Sequence, residues 1–455
     1  MEWNKLICTT RLGDTDSENP SAGRSAFQRD FDRIAFSSSF RRLQDKTQVV
    51  PLAESDYVRT RLTHSLEAAS VGRSLGSLVG EELTKKGMID DKLAPDLGTI
   101  VAAGALAHDI GNPPFGHSGE SAIQHWFSTS EFGQLVQTEM TDGQKQDFLR
   151  YEGNAQGFRI LSRLQDPTRA GGLQITYSTL AAFTKYPLES YIQNQDQIHS
   201  GKSSKKFGFF QADTSQFEEI AEALGLERRK SGTHWWTRHP LAFLVEAADD
   251  ICYRIIDFED GYRLKRIRQC EFTEPLLQIV NEPKVKDKLG TIENPEQQVA
   301  YLRAKGINSL VLQVAEAFRQ KVSGIMDGTF DEALISQIPR SSIEGLREIE
   351  KLSLTKVYSA RPIVEIEAAG FEVLGGLLET FVSAIEDKAR HGNSRTAKSE
   401  KLLQLLPGQF LHSPLTPNPD QYERVLQITD FVSGMTDSYA VSLFRKIRGI
   451  SLPTM

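Results

Sequence analysis

The sequence predicts an all-α protein, and three helical patterns support that expectation. Between residues 56 and 83, apolar side chains recur every three or four positions, which is the period of a helix packed on one face. Residues 96–108 combine alanine, glycine and aliphatic residues in a segment suited to a closely packed helix. Pro240 precedes the long pattern LAFLVEAADDICYRIIDFEDG, and proline is favoured in the first turn of a helix. We expect β structure to be minor.

The rest of the chain gives weaker patterns. Pro113, Pro114 and Gly116 predict a loop, and a third helix is expected over residues 118–127. Beyond Glu274 the chain is predicted to form helices with turn breaks. Three further segments have no clear helical pattern: residues 128–150, residues 193–206, which we expect to be an exposed loop, and the basic, loop-like residues 390–401. A short apolar run, residues 364–366, is compatible with a strand.

Three units are expected along the chain. Residues 1–26 are polar and rich in small residues, and we interpret them as an N-terminal arm. Residues 27–270 contain the motifs described below and are predicted to form the catalytic core. Residues 271–455 are predicted to be a C-terminal helical region that completes the fold and provides the oligomer interface.

Composition restricts the class of protein. The chain has 455 residues, 39% hydrophobic and 25% charged, as in soluble globular proteins. A net charge of −7 argues against general nucleic-acid binding. Three cysteines without a CxxC pair favour a reducing, cytoplasmic location. We find no signal-peptide pattern, and the longest apolar stretch, residues 100–107, is far shorter than the ~20 residues that a membrane span needs.

Four residues suggest a metal site: His64, the adjacent His108 and Asp109, and Asp249. A buried, adjacent imidazole and carboxylate at a helix end is costly unless a cation compensates it. Two imidazoles and two carboxylates suit Mn²⁺, Fe²⁺, Co²⁺ or Zn²⁺, whereas Mg²⁺ prefers oxygen ligands and is expected to bind more weakly. Each histidine alone could also be an ordinary polar residue near a helix end.

Other side chains near these motifs could act on an anionic substrate. Arg61 shares a helix face with His64, and its planar guanidinium suits a phosphate. His117 and Glu120, also three residues apart, could form an acid–base pair. Lys185 could contact a phosphate. The ordinary alternatives are a surface ion pair for Arg61, a helix start for His117 and Glu120, and a helix-dipole contact for Lys185.

Asp249, Tyr253 and Asp257 recur at intervals of four residues on one helix face. Tyr253 could pack against a sugar and Asp257 could accept a hydrogen bond from a hydroxyl group. An ordinary core tyrosine and a solvated carboxylate are the alternatives. The sequence contains no GxxxxGK[ST] motif, so phosphate binding is expected to depend on metal and basic side chains.

Together these motifs resemble the HD-domain superfamily, whose signature is His…His-Asp…Asp, and more narrowly the deoxyguanosine triphosphate triphosphohydrolases (dGTPases). The resemblance spans most of the chain. It rests on the blocks SSSFRRLQDKTQV (37–49), RTRLTHSLEAA (59–69), HDIGNPPFGHSGE (108–120), YEGNAQGFR (151–159), FTKYP (183–187), EAADDICY (246–253) and SGMTDSYA (433–440). Two departures are Tyr151, where the family usually has phenylalanine, and Asp250, where an animal relative with a SAM domain has lysine.

The resemblance implies an HD-domain helical fold and hydrolysis of a dNTP, dGTP above all, to a deoxynucleoside and tripolyphosphate. It implies Mn²⁺ or Mg²⁺ before other divalent ions, a homo-oligomer, often a hexamer, and control by a dNTP or single-stranded DNA effector. It assigns the residues as follows: His64, His108, Asp109 and Asp249 to the metal; His117 and Glu120 to catalysis; Arg61 and Lys185 to phosphate; Gln48, Tyr253 and Asp257 to the deoxyribose; Val49 to the base; Asn154 and Glu367 to the pocket.

Two other functions fit parts of the sequence. Another HD phosphohydrolase, a nucleotidase or a phosphodiesterase, would use the same metal residues and release orthophosphate or a monophosphate. A single-stranded nucleic-acid-binding regulatory protein is suggested by the basic residues 262–268 and 390–401. Basic runs are more often solvated faces, and an intact set of metal and catalytic residues argues against a scaffold without activity.

Overall fold

The computed structural model describes residues 1–14, 23–48, 59–192, 201–411 and 416–451. These ranges contain twenty α-helices. In the first half they are α1 Trp3–Leu6, α2 Ala26–Ala35, α3 Ser38–Arg42, α4 Arg61–Lys85, α5 Ala94–Ala107, α6 Gly116–Thr129, α7 Glu131–Leu135, α8 Asp142–Leu149, α9 Gly153–Arg159, α10 Tyr177–Phe183 and α11 Thr214–Leu224. In the second half they are α12 Ala242–Arg263, α13 Gln269–Val280, α14 Pro283–Gly290, α15 Pro295–Met326, α16 Arg340–Ser353, α17 Arg361–His391, α18 Ala397–Leu403, α19 Gln421–Ser433 and α20 Asp437–Ile447.

The all-α prediction is confirmed. Within the described ranges, β structure is limited to isolated bridges such as Arg11 with Thr176 and Leu188 with Trp235. The weakly patterned residues 128–150 form α7 and α8, and residues 364–366, considered as a strand, lie inside α17. The basic residues 390–401 span the end of α17, a short 3₁₀ turn and the start of α18.

Helices α4, α5 and α12 form the centre of the fold. Ten of the eleven residues of α5 from Leu97 to Ala107 are buried, so this part of the helix is enclosed on all sides. Its small residues permit close approach to α4: a Cβ at Gly76 would lie 2.7 Å from the Gly98 Cα. Close contact fixes the end of α5 relative to α4 and α12, and the candidate ligands lie on these three elements.

Two hydrophobic clusters stabilise the structure. The first surrounds α4, α5, α12 and α15, and the second joins α6 and α8 to α17, α19 and α20. Each cluster therefore combines residues from before and after position 270. The boundary at 270 stays a prediction, and the packing shows that the two sides share both cores.

The N-terminal segment differs from the expected arm. Trp3 is 5% exposed and Leu6 is fully buried, and both belong to the first hydrophobic cluster. The N-terminal ammonium group donates a hydrogen bond to the Met326 carbonyl oxygen at 2.8 Å. The few apolar side chains of a mostly polar segment are sufficient to bury its start against the core.

Helix α17 is long and apolar. By length and composition alone, residues Ile363–Ser394 would be able to cross a membrane, but half of the most apolar window is buried inside the fold. Core helices of soluble proteins have the same character, and α17 contributes Leu374, Leu377 and Phe381 to the second hydrophobic cluster.

Candidate metal centre and active-site cavity

A cavity of about 520 Å³ opens where α4, α5, α6 and α12 meet. The predicted site residues that line it are Gln48, Arg61, His64, His108, Asp109, His117, Asn154, Lys185, Asp249, Tyr253 and Glu367. Glu120 and Asp257 are buried behind this lining. Val49 lies outside the described residues. Side chains separated by more than 300 positions in the chain thus face one space.

Three of the four predicted metal ligands converge closely. His64, His108 and Asp249 each offer a ligand atom, and these atoms lie within 4.8 Å of one another. The Asp249 Oδ1 atom is 3.1 Å from His64 Nε2 and 3.4 Å from His108 Nε2. Each of these side chains comes from a different helix. His64 lies on α4, His108 directly follows the end of α5, and Asp249 lies on α12.

The donor set fits a divalent cation. The His108 Nδ1–H donates to the Ala105 carbonyl oxygen at 2.6 Å, which leaves the Nε2 lone pair directed toward the cluster. His108 Nε2 and His64 Nδ1 are buried with no hydrogen-bond partner among the described residues. Although burial opposes it, the Asp109 and Asp249 carboxylates raise the pKa of His108 to about 9. The site therefore favours positive charge, which a metal ion would supply.

Asp109 is placed differently from the other three. Its Oδ2 atom lies 3.5 Å from His108 Nε2 and accepts a hydrogen bond from Arg61 Nη1 at 2.8 Å. The Asn112 side-chain amide donates to its other oxygen. Burial raises the pKa of Asp109, but Arg61 and His108 outweigh that effect and hold it at about 2. Asp109 is thus a fully ionised carboxylate between the cluster and Arg61.

The loop after α5 places the His117–Glu120 pair beside the cluster. Phe115 has a left-handed backbone (φ 64°), and its amide N–H donates to Asp437 Oδ1 at 3.0 Å. The other oxygen of Asp437 accepts from the Thr47 amide at 3.0 Å. Asp437, in the SGMTDSYA block, therefore joins the loop to the segment that precedes Gln48. No sequence pattern predicted this role of Asp437.

His117 has the geometry of a proton donor. Its side chain is 79% exposed, while its Nδ1 atom lies 2.8 Å from the buried Glu120 Oε2. The second oxygen of Glu120 accepts from the Gly153 amide at 2.8 Å. The hydrogen bond with Glu120 raises the pKa of His117, and it directs the Nε2 atom away from Glu120.

Lys206 and Glu152, to which the motifs assigned no role, lie next to the His117–Glu120 pair. Lys206 Nζ lies 3.5 Å from Glu120 Oε2 and 2.8 Å from Glu152 Oε1. Asn154 donates to Glu152 Oε2 at 3.1 Å. Glu152 belongs to the YEGNAQGFR block, so its position could have been suspected, whereas Lys206 follows an irregular polar segment that gives no periodic signal.

Lys185 also lines the cavity. Its Nζ atom is 3.3 Å from Glu246 Oε1, and Arg238 Nη1 donates to Glu246 Oε2 at 2.8 Å. Burial alone would lower the pKa of Lys185, but Glu246 raises it above its ordinary value. Lys185 is thus a fixed cation at the cavity wall and not only a helix-end lysine.

The far end of the cavity is aromatic. Tyr253 is 41% exposed and its ring stacks parallel to that of Tyr358, with ring centres 5.9 Å apart. The Tyr358 hydroxyl donates to Asp257 Oδ2 at 2.9 Å, so Tyr358 stands between Asp257 and the open cavity. Burial raises the pKa of Asp257 to about 7. Tyr358 lies in a π-helical turn, Leu354–Tyr358, which no sequence pattern indicated.

A match to a known protein family identifies the class of domain that this chain contains. The HD domain family profile matches residues 61–143, a range that includes His64, His108, Asp109, His117 and Glu120. The helical fold and the histidine–aspartate cluster agree with an HD-domain hydrolase.

Full-length relatives define the family. A deoxyguanosinetriphosphate triphosphohydrolase-like protein of Synechocystis sp. is 44% identical over 99% of this chain and 100% of its own length. A protein of the same description from Pseudomonas aeruginosa is 38% identical over both full lengths. A deoxyguanosinetriphosphate triphosphohydrolase of Yersinia enterocolitica is 29% identical over 92% of this chain and 93% of its own. The chain belongs to the deoxyguanosinetriphosphate triphosphohydrolase-like family of HD-domain proteins.

Proposed function

We propose that this protein is a metal-dependent triphosphohydrolase that converts dGTP and water to deoxyguanosine and tripolyphosphate. One observation carries the proposal: the His64–His108–Asp249 cluster faces the same cavity as His117, which the buried Glu120 holds. A phosphate held at the cluster would therefore lie beside a potential proton donor. The names of the full-length relatives support the choice of dGTP.

We further propose that His64, His108, Asp109 and Asp249 hold the metal ion. A bound Mn²⁺ or Mg²⁺ would neutralise charge on the phosphates and increase the acidity of a water molecule, and Fe²⁺, Co²⁺ and Zn²⁺ are the alternatives. The cluster is electronegative, as the raised pKa of His108 beside Asp109 and Asp249 indicates.

The basic side chains of the cavity suit the triphosphate. Arg61, Lys185 and Lys206 line three parts of the wall, and each is already held by a carboxylate. Such side chains lose little conformational freedom when they bind an anion. Their charges would stabilise the negative charge that develops on the α-phosphoryl group.

His117 is proposed as the acid for the leaving group. Its pKa is raised by the hydrogen bond with Glu120, so the imidazole keeps its proton to a higher pH than an ordinary histidine does. As water adds to the α-phosphorus and the bond to the 5′ oxygen breaks, the His117 proton would pass to that oxygen. Deoxyguanosine then leaves as a neutral alcohol, and tripolyphosphate stays as the anion.

The aromatic end of the cavity is proposed to bind the nucleoside. Tyr253 offers a flat face to the deoxyribose, with Asp257 behind Tyr358, and Gln48 and Asn154 offer amide groups. Glu367 lines the cavity, where its carboxylate oxygens could accept hydrogen bonds. Guanine is the DNA base with adjacent N1–H and N2–H₂ donors, so Glu367 would favour it, with Val49 as a further base contact.

Assembly into a homo-oligomer, a hexamer by family resemblance, is part of the proposal. Leu354, Val364 and Phe371 are large apolar side chains exposed near the cavity and along the start of α17, and burial of such side chains favours association. Sedimentation of the purified protein measures the assembly. Activity with and without a second dNTP or single-stranded DNA tests for an effector, and fractionation of cells tests the cytoplasmic location.

Product analysis tests the proposed reaction. The purified chain is incubated with Mn²⁺ and each dNTP, and the products are separated by ion-exchange chromatography. We expect deoxyguanosine and tripolyphosphate from dGTP, and loss of both in His117→Ala. His125→Ala, an exposed histidine on the same helix, is the matched control and should keep the activity. Orthophosphate or a nucleoside monophosphate as the first product would reject the proposal in favour of another phosphohydrolase.

A further inference from the structure

Two buried carboxylates share one lysine beside the proposed acid. Glu120 is 5% exposed and Glu152 is 7% exposed, and Lys206 Nζ lies between them. The distances favour Glu152: 2.8 Å and 3.0 Å to its two oxygens, against 3.5 Å to Glu120 Oε2. Glu120 Oε2 is the same oxygen that holds His117 Nδ1 at 2.8 Å. Lys206 and His117 thus compete for one carboxylate oxygen.

The groups around this cluster define its charge balance. Glu120 faces His117, Lys206 and the Gly153 amide, and the more distant Arg61 charge also acts on the pair. Glu152 faces Lys206 and the Asn154 amide, with the Tyr151 ring close by and Glu120 as the nearest like charge. Tyr186 adds a further group next to Lys206. Glu152 is therefore the acidic group that draws Lys206 away from Glu120.

Glu152 changes its charge in the neutral range. Burial raises the pKa of Glu152 to about 7, and the Glu120 charge adds to the effect. For Lys206, burial lowers the pKa, but Glu120 and Glu152 outweigh it, so the lysine stays charged. When Glu152 takes up a proton, the full lysine charge is left to act on Glu120 and, through it, on His117.

We propose that Glu152 is a positioning residue for the hydrolysis, which holds Lys206 away from the Glu120 oxygen and thereby lets Glu120 keep the proton on His117. This inference rests on the proposed function for its role in the reaction. Its physical content, the effect of Glu152 on the His117 proton, does not depend on which substrate is used. None of the substrate contacts proposed above involves Glu152.

Histidine NMR titration of the full chain tests the proposal without any substrate. The chain is labelled at the histidine ring carbons, and the His117 signal among the nine histidines is assigned with His117→Gln. Glu152→Gln removes the charge that attracts Lys206, so it should lower the pKa of His117 by about half a pH unit. Lys206→Met removes the competing cation and should raise it by about half a pH unit.

Opposite shifts in the two variants support the proposal, and the opposite signs separate it from a general loss of structure. Glu386→Gln is the matched control, because Glu386 is a buried carboxylate paired with Arg424 in another part of the fold, and it should leave the pKa of His117 unchanged. An unchanged pKa of His117 in both Glu152→Gln and Lys206→Met overturns the proposal. If either variant fails to fold, the sign of the shift in the other decides.

The pH dependence of dGTP hydrolysis then separates this inference from the proposed function. We expect the alkaline limb of the Glu152→Gln rate profile to move down with the pKa of His117. If the NMR shifts occur but no variant, nor the wild type, hydrolyses any dNTP, the reaction assignment fails and the electrostatic effect stands. If the wild type hydrolyses dGTP and the limb does not move, the role of Glu152 in the reaction is rejected.

Discussion

Two clusters of buried charged side chains in this protein differ in their surroundings: one faces a cavity and the other is enclosed. The cavity cluster consists of His64, His108, Asp109 and Asp249. The Arg159 cluster consists of Arg159 on α9, Asp213 before α11, and Asp430 on α19. In the Arg159 cluster the guanidinium is 3.0 Å from each carboxylate, and all three side chains are enclosed.

The cavity cluster is not enclosed in this way. Buried nitrogen atoms of His64 and His108 have no hydrogen-bond partner among the described residues, and the side chains face an open space. A buried polar atom without a partner costs stability. Asp213 Oδ2 in the Arg159 cluster also has no hydrogen-bond partner among the described residues, but its surroundings are closed, whereas the cavity is open to a ligand. We therefore interpret the cavity cluster as a binding site that a ligand can reach, and the Arg159 cluster as a contact that joins three elements of the fold.

The largest expected effect is at the metal site. Asp249→Asn keeps the shape of the side chain but removes the charge that two imidazoles face. We expect hydrolysis of dGTP to fall by about 10⁴-fold, because metal binding and charge stabilisation are both lost. The variant should stay folded, because asparagine has nearly the same shape as aspartate. Rate measurements and thermal unfolding on the same sample check both, and full activity in Asp249→Asn would refute the assignment.

His117→Ala is expected to reduce the rate by about 10³-fold, the usual contribution of a positioned proton donor. Mn²⁺ binding should be retained, because His117 is not among the converging ligand atoms. Single-turnover rates together with a metal-binding assay check the prediction. Loss of Mn²⁺ binding in this variant would contradict the prediction and would indicate that His117 is itself a metal ligand.

Arg159→Met, in the other cluster, is expected to lower stability and to leave activity unchanged. Removing the cation leaves Asp213 and Asp430 buried without their partner, and we expect the free energy of unfolding to fall by about 4 kcal/mol. The folded fraction should keep its activity at low temperature. Urea unfolding with activity assays below the transition checks this. A stable but inactive Arg159→Met protein would show that the cluster has a direct part in function.

The smallest expected effect concerns Asp147, whose carboxylate accepts from the Tyr422 hydroxyl at 2.6 Å. Burial raises the pKa of Asp147 from 3.8 to about 7. The folded state therefore keeps this proton at pH values where the unfolded chain releases it, and stability falls as the pH rises from about 4 to 7. Asp147→Asn removes this loss. Between pH 5 and 8 the wild type should lose on the order of 2 kcal/mol more than the variant in urea unfolding.

The site residues that the sequence predicts well lie on regular helices. The candidate ligands His64 and Asp249 lie on long helices with clear periodicity, and their motif spacing is specific, so their convergence was predictable. Asp109 was expected as an equal ligand, and its pairing with Arg61 depends on side-chain rotamers that spacing does not encode.

Residues on irregular segments were not predictable in the same way. Lys206, Tyr358 and Asp437 reach the cavity or its loop through a polar loop, a π-helical turn and a distant helix start. Their positions result from tertiary contacts, such as the hydrogen bond that the Phe115 amide N–H donates to Asp437. The burial of Trp3 was missed for a related reason, because a short apolar pattern in a polar segment has no detectable period.

Direct measurement of Mn²⁺ binding tests the central claim, that the cavity cluster is a metal site and the Arg159 cluster is not. Isothermal titration of Mn²⁺ into the metal-free wild type, Asp249→Asn and Arg159→Met gives the stoichiometry and affinity of each. We predict one ion per chain for the wild type and for folded Arg159→Met, and affinity at least 100-fold weaker, by order of magnitude, for Asp249→Asn. Equal binding by the wild type and Asp249→Asn would contradict the account.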